Sequence, residues 1–448
     1  MSSASSDHPR AAVVGAGLAG SEAALVLARN GVEVTLFEAR PGWHSPAHAT
    51  DLPAELVCSN SLKSRLLPSA HGLLKAELAL LDSPLLAAAD RNALPAGSAL
   101  AVNREEFSKD AAAALSASPA ISMVHREVGA PPEGFDCVLI AAGPLASEKL
   151  TGWFSSELST EALNFYDAIA PIISHESIDF SVAFSASRWE EGEGDYINCP
   201  FNEAEYRAFY DALREADTVT ARSFENSRFF ESCLPIEVAA SRDYKALAFG
   251  PLRPVGITDP RTGRRPFAVC QLRREQRSGE SYNLVGFQTR LTIPEQKRVF
   301  RMIPGLAAAE FLRYGSIHRN TYLNSPALLS TDLSFKKYPK LFLAGQLCGN
   351  EGYTESIATG HLAALAMLKK MAGQPWAAPP AETALGALLL HVTASQEKMF
   401  TPTNINFGLF PPLDTGGGKR IGKKEKQQLL CNRALEKCRE WRISQEIN

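Results

Sequence analysis

Three apolar strands that each run into a glycine, at residues 11–20, 135–143 and 340–345, predict an α/β chain whose nucleotide-binding domain is built from both ends of the sequence. Between the second and third, aromatics and prolines thicken and strand patterns outnumber helical ones. The expected fold is therefore a Rossmann-like domain of the glutathione-reductase type with a large α+β insertion. Residues 1–150 and 335–448 would form the first, discontinuous and ending in a basic helix. Residues 151–334 would form the inserted substrate domain.

The opening unit, AAVVGAGLAGSEAALVLARNGVEVTLFEAR (11–40), carries the strongest local pattern. Gly15, Gly17 and Gly20 stand in G-x-G-x-x-G spacing between an apolar strand and an alanine-rich helix. Gly15 permits the turn, Gly17 lets main chain approach a pyrophosphate, and Gly20 lets the helix pack closely. Glu38 ends the second strand, where a carboxylate can accept from a ribose hydroxyl. The binding set expected here is Gly15, Ala16, Gly17, Leu18, Ala19, Gly20, Glu38 and Arg40.

FDCVLIAAGP (135–144) brings a second cofactor contact at Gly143, and KLFLAGQLCGNEGYTESIATGHLAALAML (340–368) a third at Gly345. A helix starting near Glu355 would aim its positive end at a reduced isoalloxazine ring. A dinucleotide held at both places is extended, which favours FAD over NAD alone. In the insertion, Asn202 is the expected N-cap of a helix over 202–216. MAGQPWAAPPAE (371–382) reads as a linker and 414–426 as a loop. The stripe Leu430, Ala434, Cys438 and Trp441 reads as the packing face of a final helix over 426–441.

At 448 residues and 45% hydrophobic content the chain can bury a large core, yet no apolar run approaches membrane-spanning length. The polar N-terminal decapeptide lacks a signal-peptide core, so a cytoplasmic protein is expected. Eight cysteines include no C-x-x-C pair and no zinc spacing, so no metal is expected. Net charge is −3, but residues 242–319 hold 15 Lys/Arg against 6 Asp/Glu, and 419–442 hold 9 against 3. Such a split suggests a face for a polyanion, although solvated arginines give the same count. Two thiols draw notice by their surroundings, Cys58 in ELVCSNSLKS and Cys233 in FFESCLPIE. Hydroxyls, Asn60 and Lys63 neighbour the first. Glu231 and Glu237 flank the second, which would raise a thiol pKa unless a cation offset them.

VVGAGLAGSEAA, LFEARP, ELVCSNSLKS, FFESCLPIE, FGPLRPVG, DPRTGRRPFAVCQLR, YGSIHRNTYLNSPALL and NEGYTESIATG together resemble the folate- and FAD-dependent tRNA (uracil-5-)-methyltransferases of bacteria, over residues 11 to about 440. The resemblance implies methylation of a T-loop uridine in tRNA. The carbon donor would be 5,10-methylenetetrahydrofolate, the hydride donor reduced FAD and the reductant NAD(P)H. It implies a catalytic pair, Cys58 and Cys233. One thiolate adds to uracil C6 to make C5 nucleophilic, and a base then removes the C5 proton. Cys233 is taken as the nucleophile and Cys58 as its partner beside the flavin, while the opposite assignment uses the same residues. Glu351, Gly352, Tyr353 and Ser356 join the cofactor set, Tyr353 to stack on flavin or pterin and Glu351 to pair with the pterin edge. Arg261, Arg264, Arg265, Arg273, Arg274, Lys297, Arg298 and Arg301, with Lys423 and Lys424 of the 419–426 cluster, form the expected phosphate track. Other readings are the same chemistry on ribosomal RNA, a flavin-dependent partner in tRNA modification, and an FAD oxidoreductase acting on small molecules. Oligomeric state is left open.

Overall fold

A computed structural model describes residues 8–45, 47–158, 163–189, 194–219, 234–396, 400–413 and 422–445. Among these, five strands form a parallel sheet in the order Leu341–Leu343, Cys137–Ile140, Arg10–Val14, Glu33–Glu38, Ile121–His125. Val14 pairs with Phe37 on one side and Ile140 on the other, so three strands end level. Apart from Arg10, Glu33 and Thr35, the residues of these three strands are buried, and all of those but Glu38 are apolar, as the middle of a parallel sheet covered on both faces requires. Strand order switches sides between the parallel neighbours Arg10–Val14 and Cys137–Ile140, which opens a crevice at the strands' carboxyl ends. The fold is the α/β class that the glycine turns predict.

Two helices line that crevice, Leu18–Arg29 and Tyr353–Met371, and they are each other's principal helical neighbours. Glycine makes the approach possible. A Cβ on Gly360 would overlap the carbonyl oxygen of Ala19 in the first helix, while one on Gly20 would overlap that of Gly15 in the turn before its own helix. A buried polar link fixes the pair: His361 Nδ1 lies 2.7 Å from Glu22 Oε1, and Glu22 Oε2 accepts from Leu85 N at 2.9 Å. The last helix, Lys423–Ser444, buries Leu430, Cys431, Ala434, Cys438 and Trp441 against the same core, and Trp441 Nε1 donates to Ala377 O.

The insertion is a six-stranded sheet, antiparallel in its pairings, in the order Phe184–Ala186, Tyr196–Phe201, Ala268–Arg274, Ser281–Leu284, Ile172–Ser174, Phe311–Arg313. On it lies the helix Glu203–Glu215, started by a capping box in which Asn202 accepts from Glu205 N and Glu205 accepts from Asn202 N. A two-stranded ribbon, Leu163–Ile169 with Ser316–Tyr322, joins the insertion to the first sheet's domain. Hydrophobic burial falls into two clusters, one from Ala11–Phe154 with Leu323–Trp441 and one from Ala170–Ala309. Leu323, Leu329 and Leu333, numbered within the expected insertion, pack in the first cluster. Among the described residues no helix is long and apolar enough to cross a membrane.

Replacing Gly360 by Ala tests the helix contact. Alanine in a helix interior is favoured over glycine by about 1 kcal/mol. Here the overlap with Ala19 reverses the sign, and urea unfolding should show a loss of roughly 1–3 kcal/mol.

Candidate active site: two cavities joined at Tyr353

The first cavity lies at the crevice. Its walls include Gly15, Gly17, Leu18, Ala19, Glu38, Arg40, Gly143, Gly345 and Ser356. Gly15 has φ +102°, and a Cβ there would stand 2.6 Å from Ala141 O. Gly17, by contrast, has no atom within 4 Å of a Cβ position, so its main chain is open to an approaching ligand. Gly143 and Gly345 also have positive φ, at +72° and +76°. A cradle of bare main chain beside a helix N-terminus fits a pyrophosphate. Ala16 and Gly20 do not line it, and each supports it from behind.

Glu38 is bound differently from the expectation of a free ribose acceptor. Its carboxylate accepts from Ala16 N at 2.9 Å, from Arg40 N at 3.1 Å, and from Arg40 Nε and Nη2 at 2.9 and 3.1 Å. Burial alone would push this carboxyl up, but the Arg40 guanidinium and the two backbone N–H groups outweigh it and hold it low. Arg40 also donates to Leu52 O and pairs with Glu55, tying the strand end to the chain that leads to Cys58. A ribose hydroxyl would reach Glu38 by exchanging with one of these donors.

The second cavity adjoins the first, and Val57, Pro144, Leu145, Gln346 and Tyr353 belong to both walls. Cys58, Ser59, Lys63, Arg273, Asn283, Gln288, Glu351 and Gly352 complete it. Tyr353 opens the helix Tyr353–Met371, and its phenol oxygen accepts from Cys58 N at 2.8 Å and Ser59 N at 3.1 Å. Burial pushes this phenol far above its ordinary range, so it is a neutral acceptor. Glu351 is buried and accepts from Gln346 Nε2 at 2.6 Å.

Three guanidiniums hold the Cys58 segment from outside. Arg104 Nη1 donates to Leu56 O at 3.0 Å, Arg313 Nη2 to Val57 O at 3.1 Å, and Arg273 Nε to Asn60 Oδ1 at 2.8 Å. Asn60 is wholly buried and donates onward to Arg274 O, which fastens the segment to the insertion. Glu275 balances part of this charge, 2.8 Å from Arg104 Nε. The chamber wall itself carries two cations, Arg273 and Lys63, and two carboxylates, Glu351 and Glu355. Lys63 adds a cation at the far wall, held in the left-handed region at φ +64° with its ammonium on Asn404 Oδ1. Beside it, Glu355 is buried yet held below the usual carboxylate range, because His71 and Lys63 outweigh the upward push of burial.

Cys233 lies outside the described residues. The described chain resumes at Leu234, and Ile236 N donates to the carbonyl of Gln288, a cavity residue. Of the expected phosphate track, Arg261, Arg264, Arg265, Lys297, Arg298 and Arg301 are exposed on the insertion. Arg261 is paired with Asp259, Arg298 with Glu295, and Arg301 donates to Ala309 O. Arg273 is different: it is 8% exposed and lines the Cys58 cavity. Arg274 is half-buried. Lys423 and Lys424 are exposed at the start of the last helix, where the helix dipole disfavours cations. Arg104, Arg313, Glu275 and Gln346 are parts of the site that sequence reasoning missed, since none stands in a chemical motif. Among the described residues no cluster of His, Cys, Asp and Glu could hold a metal.

Comparison with known proteins supplies the relatives. Residues 10–375 match the family model described as Glucose inhibited division protein A. A protein of Anaeromyxobacter sp. (strain Fw109-5) named methylenetetrahydrofolate–tRNA-(uracil-5-)-methyltransferase TrmFO is 52% identical, with 96% of each chain covered. One of the same name from Desulfotalea psychrophila is 48% identical, covering 97% of this chain and 98% of its own. Among solved structures, Aquifex aeolicus GidA aligns with 99% of this chain and 74% of its own at TM-score 0.70, with 16% identity, which is a likeness of fold.

The Tyr353 hydroxyl can be tested by removing it. Tyr353→Phe leaves the N–H groups of Cys58 and Ser59 without their shared acceptor, and unfolding should show a cost of about 1–3 kcal/mol.

Proposed function

The chain belongs to the family of methylenetetrahydrofolate–tRNA-(uracil-5-)-methyltransferases, and on that premise we propose that it methylates C5 of a T-loop uridine in tRNA. The observation that carries this reading is the junction of the two cavities: a dinucleotide cradle opens, past Tyr353, onto a chamber that holds Cys58 together with the cations Arg273 and Lys63. The cradle suits FAD. Gly15, Gly17 and the helix behind them would take the pyrophosphate, Glu38 with Arg40 the ribose, and Gly143, Gly345 and Ser356 the flavin end. When bound, FAD supplies the hydride, 5,10-methylenetetrahydrofolate the one-carbon unit, and NAD(P)H the electrons that renew the flavin.

The chain's own residues do the rest. Uracil C5 becomes nucleophilic when a thiolate adds to C6, which places negative charge on C5 and the C4 carbonyl oxygen. Arg273 and Lys63 are the cavity cations that would offset that charge. We assign the C6 addition to Cys233, which Ile236 ties in sequence to the wall at Gln288. Cys58, beside the tyrosine common to both cavities, is assigned to the C5 proton or to handling the incoming methylene. Tyr353 and the arginines on Leu56, Val57 and Asn60 hold that thiol in place. Gln346 and Glu351, hydrogen-bonded to each other at the junction, are the polar pair suited to the amino-pyrimidine edge of a pterin. Pro144, Leu145, Ile169 and Val285 give the chamber apolar walls that exclude water.

Arg264, Arg265, Lys297, Arg298, Arg301, Lys423 and Lys424 form the proposed phosphate-binding face, with Arg273 and Arg274 placed deeper. An enzyme of tRNA works in the cytoplasm, which is the compartment we assign. The test is transfer of labelled carbon from methylenetetrahydrofolate to unmodified tRNA, with FAD and NAD(P)H supplied. Cys58→Ala and Cys233→Ala should each lower it by roughly 10²–10⁴-fold while the protein stays yellow; undiminished transfer in either would sink the paired mechanism. Affinity for tRNA should fall steeply with salt, and replacing Lys423 and Lys424 together should flatten the log–log slope by about 2.

A further inference from the structure

Trp189 is 74% exposed and sits at φ +66°, a strained backbone conformation for a bulky side chain. Specific contacts hold it there. Trp189 N donates to Gly256 O at 3.2 Å, and the indole lies flat enough on Gly256 that a Cβ at that position would stand 2.8 Å from Cε2 and 3.0 Å from Cδ2. Gly256 has no side chain and φ +83°, so main chain covers one side of the ring. The rest of the ring is open.

Its surroundings are cationic and close to the Cys58 chamber. Arg188 donates through Nη1 to Val255 O at 2.6 Å, and through Nε and Nη2 to Gln271 Oε1 at 3.2 and 2.9 Å. Arg253 is exposed nearby, and its like charge repels that of Arg188. Gln271 and Arg273 are two apart on the strand Ala268–Arg274, so they leave the same face about 7 Å apart. Gln271 carries Arg188, and Arg273 lines the chamber. Another chamber residue, Gly286, lies against Pro251 on the segment that continues to Gly256.

A fixed aromatic ring, backed by main chain and flanked by arginines, recognises a flat polyanion: an unpaired nucleobase offers a π-face to the ring, and its phosphates face the cations. We propose that Trp189 is a stacking platform for an unpaired base of the RNA substrate, beside the base that enters the Cys58 chamber. This deepens the RNA reading and rests on it. The strained backbone then has a purpose, because it goes with a ring seated on Gly256 and exposed at the surface.

The test measures binding of unmodified tRNA and of an isolated T-arm hairpin by full-length, FAD-loaded wild type, Trp189→Ala and Trp189→Phe across a salt series. Trp189→Ala should weaken both RNAs by roughly ten- to hundredfold at every salt concentration, with the salt slope unchanged. Trp189→Phe should recover most of the affinity, and flavin absorbance should be equal in all three. Three results overturn the platform: an Ala variant that binds like wild type, a loss that Phe does not repair, or normal RNA binding with an altered oligomeric state, which would give the ring to a protein contact. Wild type that binds neither RNA overturns the RNA reading itself, so the two failures are distinguishable.

Discussion

The close contact between the helices Leu18–Arg29 and Tyr353–Met371 is the constraint on which the site depends. These helices come from opposite ends of the chain, and only glycine at position 360 lets the second approach the main chain of the first at Ala19 as it does. The buried Glu22–His361 hydrogen bond fixes the register, which is a use of buried polar groups better attested than stabilisation. With the register fixed, the first glycine turn and the start of the second helix face one crevice. Both helix N-termini then offer partial positive charge to the same ligand.

Tyr353 converts that geometry into a place for chemistry. It opens the second helix, so its position is set by the glycine contact seven residues further on. Its hydroxyl then fixes the backbone at Cys58 and Ser59, almost 300 positions earlier in the chain. The insertion completes the arrangement from the other side through Arg273, Arg313 and Glu275. Each of these reaches across to the Cys58 segment or to Arg104, which holds it. The thiol is thus placed by three separate parts of the chain.

Regular elements were largely legible because their signals are local. The glycine spacing, the Asn202 cap and the apolar stripe ending at Trp441 each reflect contacts within a few residues, and each stands where the pattern indicated. Polar side chains were less legible. Glu38 has the expected place but already accepts from Arg40 and Ala16. Arg273 has the composition of a surface track, yet the strand it stands on, Ala268–Arg274, turns it into the chamber. Sequence spacing indicates which residues share a face of an element and not which neighbour that face will meet.

By itself the sequence determined the α/β class, the dinucleotide turn, the cysteine at 58 as a group to watch, and a basic insertion, since these follow from residue type and short-range periodicity. Only the tertiary structure decided that Tyr353 meets Cys58, that Arg104, Arg273 and Arg313 converge on one segment, and that Trp189 faces outward on Gly256. Those contacts join residues tens to hundreds of positions apart, and their geometry is set by helix packing and strand order.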